Sequence, residues 1–360
     1  MDLFQRISIL GASAQYDTCG PKDFGGSTNI PGVYRASVGS GRICRLFKIL
    51  QTNACLNNCR YCAFRKDRDY RRVRMSAEEM ARSFILVHSR RLVEGLFLSS
   101  GLVGSADQTL APMIDTAQIL RRKYHYQGYI HLKIMPDSSE GAIKAAVKLA
   151  NRVSVNIEAP NQTWLARLSP DKNLNQSFFP TLKLIKKAID DQKCRWQKTT
   201  SLTSQFVVGA DQETDQEIIG VSSRLYRQFN LSRVFYSAFR PVAKTPFSHR
   251  RLVSPVREHR LYQADFLLRF YRFTPGEIPY GKTGFLALDQ DPKNAWVKQN
   301  QDCFPINVNR ADYWHLLRVP GLGPRSARKI IALRNQRRIF SFSNLTGLRI
   351  QKKAQMFLSF

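Results

Sequence analysis

The feature that most constrains this chain is a regular alternation of short apolar runs with longer amphipathic stretches, which begins near residue 45. Runs of this kind predict buried strands, and the stretches between them predict helices. The predicted strands cover residues 46–51, 95–99, 129–135, 153–157, 205–209 and 234–239. The predicted helices cover residues 76–91, 110–124, 139–151, 178–191 and 213–229. This order predicts an α/β fold, a partial (β/α)6 barrel that is TIM-like but shorter than the eight-unit barrel.

The composition changes on both sides of the predicted barrel. Residues 1–40 are rich in Gly and Ser and predict a loop-rich leader without secondary structure, so the barrel is assigned to residues 41–249. Residues 250–304 predict a helical extension that opens at Ser254-Pro255 and continues into a connector rich in Pro, Gly and Lys. Residues 305–360 predict a small, basic, all-α unit made of helical hairpins.

Three of the seven cysteines, Cys55, Cys59 and Cys62, lie in one short window directly after the first predicted strand. Three thiolates on one loop can ligate three irons of a [4Fe-4S] cluster and leave the fourth iron open. An open iron can bind S-adenosylmethionine (SAM), whose reductive cleavage yields a 5′-deoxyadenosyl radical. A structural zinc site is the alternative, but it needs a fourth ligand, and none follows within this loop.

The charge of the chain points to a polyanionic partner. Lys and Arg number 56 and Asp and Glu number 27, which gives a formal net charge of +29. Such an excess repels itself in a folded protein, and nucleic acid is the partner that most often neutralises it. We find no apolar run long enough to span a membrane, no secretion signal and an odd number of cysteines. These features predict a cytoplasmic protein without a disulfide framework.

The run from Cys55 to Cys62, followed by strand and helix repeats, resembles the radical SAM superfamily. More narrowly, six strings resemble the group described as DNA modification and repair radical SAM proteins. The strings are Lys48-Ile-Leu-Gln-Thr-Asn-Ala-Cys55, Gly95-Leu-Phe-Leu-Ser-Ser-Gly101, Tyr129-Ile-His-Leu-Lys133, Ser154-Val-Asn-Ile-Glu158, Ser237-Ala-Phe-Arg-Pro241 and Arg257-Glu-His-Arg-Leu-Tyr-Gln-Ala-Asp265. The resemblance spans nearly the whole chain. It implies a [4Fe-4S] cluster, SAM, an electron donor such as flavodoxin or ferredoxin, and a uracil-DNA-glycosylase-like partner.

The resemblance also implies where the methionine part of SAM binds. Ser99, Ser100 and Gly101 end the second predicted strand, where radical SAM enzymes usually have a Gly-Gly-Glu-like segment that receives the methionine amino group. This chain departs from that pattern because it has no carboxylate there, so hydroxyls and backbone carbonyls would accept those hydrogen bonds. Tyr61, inside the cysteine run, is a further cofactor candidate.

Ser154, Asn156 and Glu158 alternate with apolar residues on the fourth predicted strand, so a period of two places them on one face. By resemblance, Asn156 and Glu158 match cofactor contacts of that strand. The alternative is an internal hydrogen-bond network without a ligand. Gly209, after the fifth strand, would allow the backbone to approach the adenine.

Three basic residues are candidates for substrate phosphate or cofactor carboxylate binding. His131 and Lys133 share one face of the third predicted strand, and Arg240 follows the sixth. If they point into the barrel they are anion receptors, and if they point outward they are solvated. Residues 60–74 hold seven Arg or Lys against two Asp, with aromatic residues between them. That composition suits phosphate contacts and base stacking, or a solvated loop.

Residues 307–334 resemble a helix-hairpin-helix motif of DNA-binding and repair proteins. Asn309 is predicted to cap the first helix, and Pro320-Gly321-Leu322-Gly323 to form the hairpin before Pro324 starts the second helix. This arrangement aims backbone N–H groups at a phosphate. The residues predicted to contact nucleic acid are Gly321, Gly323, Arg325, Arg328 and Lys329. Residues 307–360 contain 11 Lys or Arg and one acidic residue, and Leu345-Thr-Gly-Leu348 resembles a second, degenerate hairpin.

The sequence therefore predicts a radical SAM enzyme that acts on nucleic acid, with DNA favoured and a role in DNA modification or repair. A radical SAM enzyme that modifies RNA is the first alternative, because the same basic surface would serve it. A non-catalytic iron–sulfur protein that binds DNA is the second.

Overall fold

The computed structural model describes residues 1–16, 31–37, 43–196, 199–345, 347–348, 350 and 352–360. These residues divide into two compact units, one formed by 1–213 and 224–258 and the other by 214–223 and 259–360. The four segments expected from composition have different boundaries and stay a prediction. Within the predicted leader, Cys19 and the sequence Gly25-Gly26-Ser27 lie outside the described residues.

A seven-stranded sheet forms the centre of the first unit, with its strands in the order of the chain. The strands are β1 (Val33–Ser37), β2 (Ile43–Leu50), β3 (Gly95–Ser99), β4 (Tyr129–Lys133), β5 (Arg152–Ser154), β6 (Ser201–Val208) and β7 (Arg233–Ala238). Strands β2 to β7 are parallel, whereas β1 pairs antiparallel with β2. Six parallel strands in sequential order, joined by helices, confirm the predicted partial TIM-like barrel.

The helices α1 to α8 are α1 (Leu3–Ser13), α2 (Ala77–Ser89), α3 (Ala106–Arg122), α4 (Glu140–Leu149), α5 (Gln162–Leu168), α6 (Phe179–Trp196), α7 (Asp215–Phe229) and α8 (Pro255–Tyr271). Helices α7 and α8 contribute residues to both units. Local sequence fixes several helix starts. Ser76 with Glu79 and Ser105 with Gln108 form capping boxes that satisfy the first free N–H groups of α2 and α3.

The prediction of a loop-rich leader is wrong for two of its segments. Residues 3–13 form α1, because Asp2 and Gln5 make a capping box that outweighs the local richness in small residues. Helix α1 contacts β2, and Arg6 pairs with Glu79 of α2 at 2.5 Å. Residues 33–37 form β1, which extends the sheet by an antiparallel strand. The beginning of the chain is therefore part of the first unit.

The second unit contains α9 (Pro292–Gln299), α10 (Tyr313–Leu316), α11 (Pro324–Gln336) and α12 (Lys352–Gln355). A short parallel pair, β8 (Ile306–Asn307) and β9 (Leu358–Ser359), adds strand content that the sequence did not predict. Arg318 is an internal tie, because its guanidinium pairs with Glu277 at 2.6 Å and lies 3.8 Å from the ring centre of Phe273. Not all of the basic residues near the C-terminus therefore face outward.

Within the described residues, no helix combines the length and the hydropathy that a membrane crossing requires.

Candidate functional site at the carboxyl ends of the barrel strands

A cavity of about 420 Å³ lies in the first unit, where the parallel strands end. Its walls come from the loop after β2, from the ends of β3, β4, β6 and β7, and from the segment after β5. Parallel barrels hold their reactive groups at this edge, because the loops that follow the strands converge there. The volume is within the range of small-molecule and cofactor sites.

Cys55, Cys59 and Cys62 all line this cavity. The loop that carries them is held by main-chain bonds, from Leu56 N–H to the Leu102 carbonyl at 2.8 Å and from Lys66 N–H to the Asn57 carbonyl at 2.9 Å. Among the described residues, no three His, Cys, Asp or Glu side chains lie close enough to hold one metal ion. The three thiols therefore do not form a closed zinc site. The chemistry of three thiolates suits an iron–sulfur cubane, in which each thiolate would ligate a different iron.

Burial controls the protonation of the thiols. It raises the pKa of Cys59 and raises that of Cys62 to about 12, and in both cases a neighbouring cysteine raises the pKa further. The ammonium of Lys172 opposes this effect at Cys59, and the Ser169 hydroxyl lies 2.9 Å from the Cys59 sulfur. The free thiols of Cys59 and Cys62 are therefore neutral at neutral pH, and metal binding releases their protons.

Ser99, Ser100 and Gly101 line the cavity beside the cysteine loop. Gly101 donates its N–H to the Thr52 carbonyl at 2.9 Å. A Cβ at Gly101 would collide with the carbonyl oxygen of Ala54 and lie 3.1 Å from the Cβ of Cys55. Only glycine therefore lets the end of β3 approach the cysteine loop this closely.

We expect Gly101→Ala to displace the cysteine loop and to destabilise the protein by about 1–3 kcal/mol, because the added methyl group meets backbone rather than a flexible side chain. Thermal unfolding and iron content after anaerobic reconstitution measure the two effects. Gly141→Ala, in the exposed first turn of α4, is the matched control. Equal iron content in the two variants would contradict the prediction.

Asn156 and Glu158 also line the cavity, but Ser154 does not. Strand β5 ends at Ser154, and Glu158 has a φ of +67°, so the expected period of two does not continue to residue 158. Backbone bonds of Glu158 to Gln205 (3.0 Å) and Val207 (2.9 Å) hold it beside β6. The prediction that Ser154, Asn156 and Glu158 share one strand face is therefore wrong.

Glu158 is the centre of a buried polar group that the sequence did not reveal. Its carboxylate lies 2.9 Å from the ammonium of Lys172, which also lines the cavity. Burial lowers the pKa of Lys172, but Glu158 and the cysteines raise it more, so the ammonium stays charged. Burial first, and then Glu158, raise the pKa of Tyr61 well above its usual value. Lys172 follows α5 without any motif of its own, so spacing could not have identified it.

His131 and Lys133 have different surroundings although they share a strand face. Lys133 lines the cavity. His131 is buried deeper in the barrel, where its ring stacks on Phe97 with centroids 4.0 Å apart and its Nε2 lies 2.9 Å from the Ser154 hydroxyl. His131 is absent from the residues that line the cavity, so its surroundings are those of a packed core histidine.

Arg240 lines the cavity and is exposed, whereas Gly209 is not among the lining residues. Gly209 has a φ of +75° and donates its N–H to Glu213, and an added Cβ would collide with Val253. Burial raises the pKa of Glu213 to about 7. The freedom of Gly209 is thus required for packing behind β6 rather than for contact with the cavity.

The basic stretch 60–74 proves to be partly internal. Arg72 donates to the carbonyls of Phe64 (3.0 Å), Arg65 (2.8 Å) and Arg68 (3.0 Å), and its guanidinium lies 3.7 Å from the ring centre of Tyr70. The Arg72 side chain therefore forms hydrogen bonds to several carbonyls of the turn that follows Cys62. Because this guanidinium is occupied by backbone oxygens, it is unavailable to phosphate.

We expect Arg72→Lys to destabilise the protein by about 2–3 kcal/mol, since a single ammonium cannot reproduce the planar fork that reaches several carbonyls. The reconstituted variant should also lose iron faster than the wild type during gel filtration. Arg71→Lys, at an exposed neighbouring side chain, is the control. If Arg72→Lys had the same unfolding stability and the same iron retention as this control, the hydrogen bonds of the Arg72 guanidinium would be dispensable.

The second unit contains the predicted hairpin. Helix α11 starts at Pro324, Gly323 is its N-cap without a side chain, and Gly321 has a φ of +78°. Arg325 and Arg328 are exposed on its first turns, as is Lys329. These features match the predicted turn between two helices.

The prediction that Asn309 caps the first helix of the hairpin is wrong. The Asn309 side chain donates to the Ile339 carbonyl at 2.7 Å and accepts the Ile339 N–H at 3.0 Å, so it fastens the chain after α11. Asp312 caps α10 instead, accepting the His315 N–H at 2.8 Å. Capping by Asp312 places the helix start three residues later. Thr346, in the predicted second hairpin, lies outside the described residues.

A lysine that the sequence did not single out supports the hairpin. Lys293 of α9 donates to the Leu322 carbonyl at 2.8 Å, and its Nζ lies 4.7 Å from the ring centre of Tyr271. Burial lowers the pKa of Lys293 to about 7. The hairpin turn is therefore stabilised by a hydrogen bond from the Lys293 amine to the Leu322 carbonyl.

Comparison with known families explains both units. The profile of the radical SAM superfamily matches residues 49–224, which contain the three cysteines, all of β3 to β6 and the last two residues of β2. These residues form a radical SAM domain. The helix-hairpin-helix profile matches residues 303–349, so the chain also contains that motif. The radical SAM domain makes the chain an enzyme whose cofactors are a [4Fe-4S] cluster and SAM.

Solved structures with related folds include methylornithine synthase (PylB), at 15% identity and a TM-score of 0.49, covering 61% of this chain and 60% of that chain. The [FeFe]-hydrogenase maturase HydG from Carboxydothermus hydrogenoformans is 18% identical with a TM-score of 0.48, covering 61% of this chain and 50% of that chain. The chain thus spans only about half to three fifths of the length of these structures. No curated protein matches the sequence.

Proposed function

We propose that this radical SAM enzyme cleaves SAM reductively to a 5′-deoxyadenosyl radical and acts on nucleic acid, with DNA favoured, in modification or repair. The observation that carries the proposal is that three thiols line one cavity of the first unit, in a chain whose second unit contains a helix-hairpin-helix motif. The first feature supports radical chemistry, and the second supports a polymeric substrate.

The cavity offers a place for each part of the cofactors. Cys55, Cys59 and Cys62 would ligate the cluster. Backbone carbonyls and hydroxyls of residues 99–101 would receive the methionine amino group of SAM, and Asn156 with Glu158 would bind its polar groups. Lys172 neutralises Glu158 in the buried wall and leaves the other lone pairs of the carboxylate as hydrogen-bond acceptors. Tyr61, beside Glu158, completes this wall.

The remaining wall limits the access of water. Its apolar side chains include Ile134, Met135, Leu165, Leu174 and Phe178. A dry wall protects a reactive intermediate from side reactions with solvent. Lys133 and Arg240 are the cationic candidates for a substrate phosphate, while Gly209 and His131 are placed for packing.

Outside the cavity, the hairpin would grip the nucleic-acid backbone. Gly321 and Gly323 would present main-chain N–H groups to a phosphate, and the exposed Arg325, Arg328 and Lys329 would add positive charge. Contacts of this kind position a strand without reading its sequence. A target nucleotide, unstacked from its neighbours, would then enter the cavity.

The test is incubation of the anaerobically reconstituted, reduced protein with SAM and either DNA or RNA. We expect release of 5′-deoxyadenosine and a new nucleoside in digests of the DNA, detected by mass spectrometry. A new nucleoside only in RNA would favour the RNA-modifying alternative. Bound cluster and bound SAM without any cleavage would favour the non-catalytic iron–sulfur protein. Cleavage that leaves both polymers unchanged would contradict the nucleic-acid substrate.

The proposal also includes partners. Reductive cleavage needs one electron, which a flavodoxin or ferredoxin would supply, and a uracil-DNA-glycosylase-like protein would act beside this enzyme. A cytoplasmic location is part of the same proposal. Co-purification of the full chain with a candidate partner, with and without DNA, tests the association.

A further inference from the structure

The segment that follows β7 carries an excess of positive charge at one edge of the cavity, whose lining also includes the exposed Asp137 and Asp171. Residues 240–251, which follow β7, contain five Arg, Lys or His residues and no Asp or Glu. Arg240, Pro241 and Val242 line the cavity itself, so this segment begins at its edge. Arg240, Lys244 and Arg251 are exposed.

The cysteine loop adds cations from a distant part of the sequence. Arg60 and Lys66 are exposed on that loop. The Arg60 carbonyl of the cysteine loop accepts the Phe247 N–H at 3.2 Å. The Arg68 side chain donates to the Ala63 carbonyl of the same loop (2.9 Å) and to the Ala243 carbonyl of the segment after β7 (3.1 Å). The two segments therefore lie side by side. We call Arg60, Lys66, Arg240, Lys244 and Arg251 the mouth rim.

The charges of the mouth rim are not neutralised within the described chain. None of its five side chains forms an ion pair with a described carboxylate, whereas Arg65 and Arg250 of the same segments pair with Asp67 and Asp211. Five like charges on two adjacent segments repel one another, and a polyanion relieves that repulsion. Arg and Lys are also the side chains that most often bind phosphate.

We infer that the mouth rim binds the phosphate backbone of the nucleic-acid strand whose nucleotide enters the cavity. The inference rests on the proposed function and adds to it a second grip, on the barrel unit itself and independent of the hairpin. Phosphates on either side of the target nucleotide are the groups that the rim would hold. Contacts of this type depend steeply on salt and little on sequence.

The test compares two triple variants of the full chain. Lys66→Gln/Lys244→Gln/Arg251→Gln removes three rim charges. Arg90→Gln/Arg91→Gln/Arg122→Gln removes three exposed charges that follow α2 or end α3, at the opposite end of the barrel. Binding of a single-stranded oligonucleotide is measured by fluorescence anisotropy at several salt concentrations. A plot of log affinity against log salt has a negative slope. We expect the rim variant to make this slope shallower by about 2, and the control to leave it unchanged.

Lysine footprinting of the wild type provides a second readout that needs no substitution. Bound oligonucleotide should protect Lys66 and Lys244 from acetylation, while Lys144 and Lys187, on the outer faces of α4 and α6, stay reactive. A wild type that binds no nucleic acid would overturn the proposed function and the rim together. A wild type that binds, with an unchanged slope in the rim variant and unprotected lysines, would overturn the rim alone.

Discussion

Replacing any one of Cys55, Cys59 and Cys62 by Ala is expected to reduce both iron content and SAM cleavage by more than about 100-fold. Loss of a residue that merely supports a metal ligand already costs up to that factor, and these residues are the proposed ligands themselves. Three thiols on one cavity leave no spare donor, since no group of three His, Cys, Asp or Glu side chains among the described residues could bind a metal ion in their place. Iron and sulfide analysis, EPR of the reduced protein and 5′-deoxyadenosine release measure the loss.

Two other cysteines provide matched controls. Cys194 and Cys303 are exposed and do not line the cavity. Their Ala variants should retain wild-type iron and cleavage, because an exposed thiol outside the site contributes neither a ligand nor packing. Normal EPR signals in all three cavity variants would contradict the assignment of the cluster to this loop. Loss of iron in the controls would show that the measurement reports general damage.

Removing the charges of the hairpin is expected to have the second large effect. The variant Arg325→Gln/Arg328→Gln/Lys329→Gln should bind duplex DNA on the order of 100-fold more weakly, if each charged contact contributes about 1 kcal/mol. The negative slope of log affinity against log salt should become shallower by about 2.7, because three phosphate contacts are lost. The exposed side chains are not part of the core, so the fold should persist.

The control for this variant is again Arg90→Gln/Arg91→Gln/Arg122→Gln, which has the same change in net charge. Binding should not vary with the sequence of the duplex, since main-chain and cationic contacts carry no base information. SAM cleavage without nucleic acid should stay the same in the control. A hairpin variant that binds DNA as tightly as this control would show that the motif serves only protein packing.

Most of the fold could be predicted because its signals are local. The bounds of β3 coincide with the predicted 95–99, and α2 to α4 agree with prediction at most of their ends to within a few residues. Burial on both faces makes parallel strands short apolar runs, and capping boxes mark helix starts. Helix α1 was not predicted, because its capping box lies in a stretch whose overall composition favours loops.

The surroundings of single side chains were less predictable. The sequence correctly places His131 and Lys133 on one strand face, yet one stacks on Phe97 and the other reaches the cavity. Arg72 looked like a surface charge until the structure showed the carbonyls around it. Depth along a barrel and the position of distant backbone oxygens are set by packing between segments, which periodicity does not record.

By itself, the sequence determined the βα order of the barrel, the grouping of three cysteines on one loop and the turn that starts α11. Each depends on residues close together in the chain, where spacing and conformational preference act directly. Only the tertiary structure decided that Lys172 neutralises Glu158, that Asn309 fastens Ile339, and that residues 60–66 and 240–251 share one rim. Those arrangements join residues far apart in sequence, so they form only when distant segments pack against one another.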